Sequence, residues 1–236
     1  MNRSATASLL LATIGAPAFA LEREGVLFDD DLSEEWNAGT TCAIQYYNTC
    51  TGWAWYRQIS EPGERLGTVI DPCIGGGPLL STTTYHLDRV WCGRGFEGSI
   101  AIYTADASGC PAGVPLAQQP YCPNDDGFLT THWNVDVAAP FVLVFENPKD
   151  DFWGPGLSFL ADRPSGGPTG PVACGTCFPA NRPTRSFYYG TVTSPLCPGE
   201  PFDDGVCNAE LFTMASFAQA STVEPTTWGK LKALYK

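Results

Sequence analysis

The sequence predicts an all-β protein, a disulfide-stapled antiparallel β-sandwich of the jelly-roll kind with a short helical tail at its C-terminus. Three observations carry this prediction. Apolar and β-branched runs are short and numerous, and no long run follows a helical period. Turn-forming residues are frequent, with 25 glycines and 20 prolines in 236 residues. Ten cysteines accompany a secretory leader, which is typical of disulfide-bonded extracellular domains.

Residues 1–20 have the features of a secretory signal peptide. Arg3 supplies the positive charge, an apolar centre follows it, and Ala18 and Ala20 form an A-x-A cleavage site. The apolar centre is shorter than the roughly 20 residues that a membrane-spanning helix needs, and no later segment could span a membrane. We therefore expect cleavage after Ala20 and a protein that is secreted or held on the outer cell surface.

The charge of the mature chain argues against nucleic acid as a partner. Without Arg3 of the leader, 12 basic residues face 25 acidic residues, so the formal charge is −13. The remaining length suits one large all-β domain, which we place at 21–217. The glycine- and proline-rich loop 163–184 is the best candidate for a boundary within it.

The predicted strands follow one another along this domain. Each is a short alternating or β-branched run, separated from the next by turn sequences such as EPGE, CIGGGP, PNDDG and PFDDG. In chain order they are 25–29, 43–47, 53–58, 66–71, 82–92, 99–105, 129–137, 141–147, 157–162, 185–192 and 210–217. About ten strands at this spacing indicate a sandwich or a jelly roll.

The ten cysteines predict five disulfides, although sequence alone does not fix their connectivity. Nearest-neighbour pairing is our hypothesis, because each such pair encloses a turn-forming segment. The predicted pairs are Cys42 with Cys50, Cys73 with Cys92, Cys110 with Cys122, Cys174 with Cys177, and Cys197 with Cys207.

Two motifs resemble reactive sites but are better explained as structure. The CGTC sequence at 174–177 has redox spacing, yet no βα unit surrounds it, so a structural bridge is favoured over a redox or zinc site.

His86 and His132 lie in predicted strands, and no nucleophile motif surrounds any serine. A glycoside hydrolase would need two carboxylates brought together in space, which the sequence cannot reveal. The sequence favours a protein that is not an enzyme.

Tryptophans supply a candidate ligand surface. Trp53 and Trp55 lie two apart in a predicted strand and share one face. If that face is exposed, the two rings form a platform for a polysaccharide; if it faces inward, they belong to the core. Trp133 and Trp153 carry the same ambiguity.

Acidic turns supply a candidate calcium site. Asp125 and Asp126 lie in NDDG, and Asp203 and Asp204 lie in FDDG. Solvated turns are the simpler interpretation, because Asp is common in turns. Loop carboxylates of extracellular sandwiches can also gather around calcium, so a calcium cofactor is the alternative.

Several ordered motifs resemble a group of secreted, cysteine-rich bacterial β-sandwich proteins to which no function is assigned. These motifs include YNTCTGWAWY, GTVIDPC, GFEGSIAIYTAD, GPVACGTCFPANRPTRSFYYGT and the closing VEPTTWGKLKALYK, and the resemblance covers most of residues 40–236. Members of the group often carry a short C-terminal tail similar to W-G-x-x-K-x-x-Y-basic. The resemblance implies secretion and a sandwich fold, and it supplies no catalytic residues.

The tail differs in composition from the acidic domain. Residues 218–226 form a spacer, and 227–236 are basic and amphipathic. The tail motif consists of Trp228, Gly229, Lys232, Tyr235 and Lys236. Because a helix this short is unstable alone in water, it would order only by docking. We expect it to dock onto its own domain or to direct sorting or attachment through the envelope or its sorting machinery. The protein would then be a surface or secreted binding or structural module.

Overall fold

The fold is all-β and antiparallel, as predicted. The computed structural model describes residues 25–27, 41–49, 51–59, 61–74, 76–87, 98–123, 127–147, 157–163, 182–190, 196–203 and 207–219. Within these ranges the regular elements are all strands, and they form two antiparallel sheets. The predicted leader, the CGTC motif and the helical tail lie outside the described residues.

In the described part of the chain, thirteen strands build the two sheets. They are β1 (Gly25–Leu27), β2 (Thr41–Gln45), β3 (Trp53–Ile59), β4 (Arg65–Ile70), β5 (Gly76–Leu87), β6 (Ser99–Ala105), β7 (Pro111–Pro120), β8 (Gly127–Val135), β9 (Phe141–Glu146), β10 (Leu157–Asp162), β11 (Ser186–Tyr189), β12 (Glu200–Pro201) and β13 (Thr213–Gln219). The seven-stranded sheet has the order β1-β3-β10-β5-β13-β2, with β8 also paired to β5. The six-stranded sheet has the order β12-β11-β4-β9-β6-β7.

Each of the eleven predicted strands overlaps an observed one, and two observed strands were not predicted. Prolines explain the omission of β7, because Pro111, Pro115 and Pro120 argue against a strand unless it lies at an edge. The structure places β7 at an edge of its sheet. The other omission, β12, is only two residues long and also forms an edge.

The core lies between the two sheets and is rich in aromatic rings. Phe145 of β9 faces Phe159 of β10 with ring centroids 4.7 Å apart, and Tyr121 packs on Phe145 at 5.0 Å. These rings join the two sheets in one cluster of buried side chains. Residues 157–162 and 141–145 are buried throughout, so β10 and β9 are covered on both faces.

A second apolar layer covers the outer face of the six-stranded sheet. Val142, Val144, Phe187 and Tyr189 are buried there, with Cys197 packed against them. The ring of Phe187 lies directly over Gly67 of the neighbouring strand, where a Cβ atom would stand 3.0 Å from the Phe187 Cζ atom. The glycine therefore makes room for the ring.

The disulfide pairing differs from the prediction. Cys42 of β2 is bonded to Cys73, which follows β4, so this bridge joins the two sheets. Cys110 at the β6–β7 turn is bonded to Cys197, which precedes β12. The strands β7 and β12 form opposite edges of the six-stranded sheet.

These two bonds overturn four of the five predicted pairs. Cys122 and Cys207 are also disulfide-bonded, so all six described cysteines are oxidised, and neither can have its predicted partner. Cys174 and Cys177 lie outside the described residues. Nearest-neighbour pairing was wrong because the sandwich brings together segments 31 and 87 residues apart, with Cα atoms at 6.2 and 5.7 Å.

The described residues contain no helix that is long and apolar enough to span a membrane.

Candidate functional site

The tryptophan platform is not supported for two of its four residues. Trp55 is 9% exposed and Trp133 is 7% exposed, and both belong to the core between the sheets. The guanidinium of Arg163 lies 4.5 Å from the centre of the Trp55 ring and covers it. Trp53 is half-buried at the start of β3, and Trp153 lies outside the described residues.

The burial of these rings follows from strand pairing, which the sequence did not reveal. The Trp55 position pairs with Ala161 of β10 in the middle of the seven-stranded sheet. Trp133 donates its indole N–H to the Thr82 hydroxyl at 2.8 Å, inside the sandwich. Both indoles are therefore structural, and a sugar platform cannot be built from them.

A buried charged cluster lies where β10, β11 and the residues before β13 meet. We define the charged cluster as Asp162, Arg182, Arg185, Ser186 and Glu210. Asp162 ends β10, Ser186 begins β11, and Glu210 precedes β13. Asp162 is 0% exposed, and Glu210 is 1% exposed. Charges this deep in a fold must be paired and hydrogen-bonded.

Asp162 has the full set of partners that a buried carboxylate needs. Its Oδ2 atom accepts a bond from Arg182 Nη1 at 2.8 Å, and its Oδ1 atom faces Arg182 Nη2. The backbone N–H groups of Asn48 and Glu210 donate to it at 2.9 and 2.7 Å. Burial raises the pKa of the Asp162 carboxyl, and the guanidinium and these N–H groups oppose the rise.

Glu210 is held by neutral donors. The backbone N–H of Arg185 donates to Oε1 at 2.8 Å, and the hydroxyl of Ser186 lies 2.7 Å from Oε2. Burial raises the pKa of the Glu210 carboxyl to about 7, and the negative charge of Asp162 adds to the rise. The two neighbouring carboxyls thus have different environments.

Two carboxyls in different environments are the arrangement that a glycoside hydrolase uses, but here they are inaccessible. Neither Asp162 nor Glu210 presents a surface on which a substrate could be placed. The hydrogen bonds of both carboxyls are made to other groups of the protein, so the pair has a structural role here. Sequence reasoning did not name these residues. The signal was an acid directly adjoining an apolar strand, at LSFLAD and at ELFTMASF.

Among the described residues, four large apolar side chains are exposed: Ile74 and Leu196 stand singly in loops, and the other two lie on β7, at the edge of the six-stranded sheet. In the pairing with β6, Ile102 faces Ala117 and Thr104 faces Ala112. The four residues 113–116 therefore stand opposite Tyr103 alone and form a bulge. Gly113 adopts a φ of +70° at its start, a conformation that favours glycine.

Two apolar side chains project from this bulge. Val114 is 80% exposed and Leu116 is 48% exposed. No charged residue occurs from 107 to 124, although the chain as a whole is strongly acidic. We call residues 113–116 the β7 bulge.

Prolines protect the backbone of this edge. Tyr121 donates its N–H to Gly98 across the β6–β7 ladder, so alternate positions, including Pro120, face away from β6. The hydrogen bond from Asp106 N–H to the Cys110 carbonyl places Pro111 outward in the same way. Because proline has no N–H, another strand cannot pair normally at these positions. The bulge therefore offers side chains rather than backbone.

The structure leaves the calcium and tail predictions without a test. Asp203 is half-buried, and its backbone forms an isolated antiparallel β-bridge with Asn208. Asp125, Asp126 and Asp204 lie outside the described residues. Among the residues that are described, no three His, Cys, Asp or Glu side chains come together to hold a metal ion.

His86 is buried, and His132 is exposed on β8. The tail residues also lie beyond the described ranges.

Comparison with known proteins gives a distant structural likeness. No family model matches the sequence, and comparison with curated proteins finds no match. A similar solved structure is the crystal structure of the cysteine protease and lectin-like domains of Cwp84, a surface layer associated protein of Clostridium difficile. The sequence identity is 9% and the TM-score is 0.48, and the match covers 76% of this chain but 36% of that one. The comparison assigns no activity or ligand to this chain.

Proposed function

We propose that this protein is a secreted or cell-surface, non-enzymatic binding or structural module that contacts a partner through the β7 bulge. The observation that carries the proposal is the exposure of Val114 and Leu116 on an uncharged edge strand. Apolar side chains that project together from an otherwise acidic surface are typical of contact sites.

The surroundings of the bulge suit a contact made by side chains. The Cys110–Cys197 bond anchors the start of β7 to the segment before β12. A surface that is already held in place loses little entropy of its own when it binds a partner. Outward-facing prolines disfavour strand addition, so the partner is expected to supply an apolar pocket.

Site-specific crosslinking tests this proposal. A photo-crosslinking amino acid placed at Val114 in the producing cell should give a discrete adduct with another component of the medium or envelope. The same group at Asn134, which is exposed on β8, is the matched control. Leu116→Asp should abolish the Val114 adduct without changing the fold, because Leu116 is half-exposed. Equal adducts at Val114 and Asn134, or none at Val114, would contradict the proposal.

We also propose that the C-terminal tail directs sorting or attachment. Its support is the sequence, in which a spacer separates the acidic domain from Trp228, Lys232 and Tyr235. The intact mass of the protein recovered from the medium should be compared with that from the envelope. Removal or covalent modification of the tail in one fraction is expected, and an unmodified tail in both fractions would contradict a processed signal.

A further inference from the structure

Of the two carboxyls in the charged cluster, only Asp162 forms a direct ion pair with an arginine of the cluster. Arg182 directs its Nη1 and Nη2 atoms to Asp162 and its Nε atom to the carbonyl of Asn208 at 3.0 Å. The other nearby guanidinium, that of Arg185, lies 2.7 Å from Asp71 and 4.2 Å from the centre of the Tyr46 ring. Both cations therefore have other partners.

Glu210 receives no direct ion pair within the described residues. The charged and titratable groups around it are Asp162 from β10, Arg182 and Arg185 from the segment before β11, and Asp71 and Tyr46 at the outer side of Arg185. The Glu210 carboxyl itself meets a backbone N–H and a hydroxyl. An ionised carboxylate at 1% exposure with neutral donors alone would carry a large desolvation cost.

The hydroxyls beside Glu210 can accommodate its proton. Ser186 Oγ lies 2.7 Å from Glu210 Oε2 and 3.2 Å from Thr68 Oγ1, and it accepts the Leu211 N–H at 3.1 Å. When Glu210 is protonated, it donates to Ser186, and Ser186 donates to Thr68. When Glu210 is ionised, the direction of both bonds reverses. Every hydroxyl keeps a partner in either state.

We propose that Glu210 carries a proton in the folded protein and that this proton latches the start of β11 to the residues before β13. Loss of the proton leaves a second buried anion beside Asp162, and both then compete for Arg182. Opening of the contact between the start of β11 and the residues before β13 returns this carboxylate to water, so that opening becomes more favourable once the proton is lost. The cluster is thus a pH-sensitive fastening inside the fold, independent of the β7 bulge.

Burial of Glu210 fixes the sign of the pH dependence. Its pKa is raised from 4.5 to about 7, so the folded state binds the proton more tightly than the unfolded state. The stabilising effect is complete below the unfolded value and is lost as the pH rises through the folded value. The stability contributed by Glu210 therefore falls between about pH 4.5 and pH 7.

Carbon-13 NMR of the Glu210 carboxyl, in the mature protein with its disulfides intact, tests the protonation directly. The resonance should titrate near neutral pH. Hydrogen exchange then tests the latch. After correction for the intrinsic rate, exchange at the Arg185 and Leu211 amides should be at least about tenfold faster at pH 8.5 than at pH 6.

Matched variants separate the latch from general effects of charge. Glu210→Gln keeps the shape and cannot ionise, so it should abolish the pH dependence of exchange at both amides. Glu200→Gln, at an exposed position on β12, should leave that dependence unchanged. A Glu210 carboxyl that is fully ionised at pH 5, or an unchanged pH dependence in Glu210→Gln, would overturn the proposal.

Discussion

Arg182 and Asp162 form a two-pronged ion pair inside the protein, with Nη1 and Oδ2 2.8 Å apart and the second nitrogen facing Oδ1. Their side chains are 9% and 1% exposed. The same guanidinium reaches the carbonyls of Asn208 and Tyr46, at 3.0 and 3.3 Å. One side chain thus joins β10 to the segments that follow β2 and precede β13.

Removing Arg182 should be strongly destabilising. Arg182→Ala leaves Asp162 buried without its counter-charge, and the expected loss in the free energy of unfolding is about 3–5 kcal/mol. Urea unfolding at pH 7 measures it. Arg65→Ala removes a more exposed pair with Glu146 and should lose at most about 1 kcal/mol. Similar losses for the two variants would show that burial of the pair does not matter.

The two observed disulfides predict which cysteine peptides remain linked. Peptide mapping without reduction should recover Cys42 joined to Cys73 and Cys110 joined to Cys197. Each bond stabilises the fold by lowering the entropy of the unfolded chain. In an otherwise open chain, the 31-residue loop of Cys42–Cys73 contributes about 3.7 kcal/mol and the 87-residue loop of Cys110–Cys197 contributes about 4.6 kcal/mol. The Cys110→Ser/Cys197→Ser variant should therefore be the less stable of the two double variants. Recovery of a Cys42–Cys50 peptide would contradict the observed pairing.

Gly67 should tolerate a larger side chain only when Phe187 is smaller. A Cβ atom at Gly67 would lie 3.0 Å from Phe187 Cζ and 3.3 Å from Val142 Cγ1. Gly67→Val is expected to destabilise by about 1–3 kcal/mol through overpacking. Combining it with Phe187→Leu should cost less than the sum of the two single changes, as a double-mutant cycle of unfolding free energies would show. Strict additivity would mean that the ring does not restrict residue 67.

Thr82 should be needed for its hydroxyl rather than its shape. Thr82→Val keeps the volume but leaves the buried Trp133 N–H without its acceptor, at an expected cost of about 1–3 kcal/mol. Thermal unfolding followed by tryptophan fluorescence measures the loss. Thr130→Val is the matched control, because Thr130 is exposed and water can replace its bond to Thr83. An equally small effect of both changes would argue against this role of Thr82.

The local sequence pattern was sufficient to predict most of the strands, but it did not show which face of a strand points inward. Runs such as FVLVFE and LSFLAD read as strands because their residues suit a pleated, buried surface. The alternation in β3 put Trp53 and Trp55 on one side without saying which side is inward. That choice depended on pairing with β1 and β10, which are distant in sequence. In β7, the prolines argued against a strand because they have no N–H to donate. The strand can form because it lies at a sheet edge, where outward-facing positions need no partner.

The sequence by itself determined the fold class and the approximate positions of eleven strands, because these depend on residues close together in the chain. The leader and the C-terminal tail stay predictions from the sequence. Tertiary structure alone decided the partners of Cys42 and Cys110, the burial of Trp55 and Trp133, and the meeting of Asp162 with Arg182 and Glu210. Those outcomes depend on which strands lie side by side and which face is covered. Disulfides, ion pairs and pKa values follow distances in space, and a sandwich places neighbours tens of residues apart.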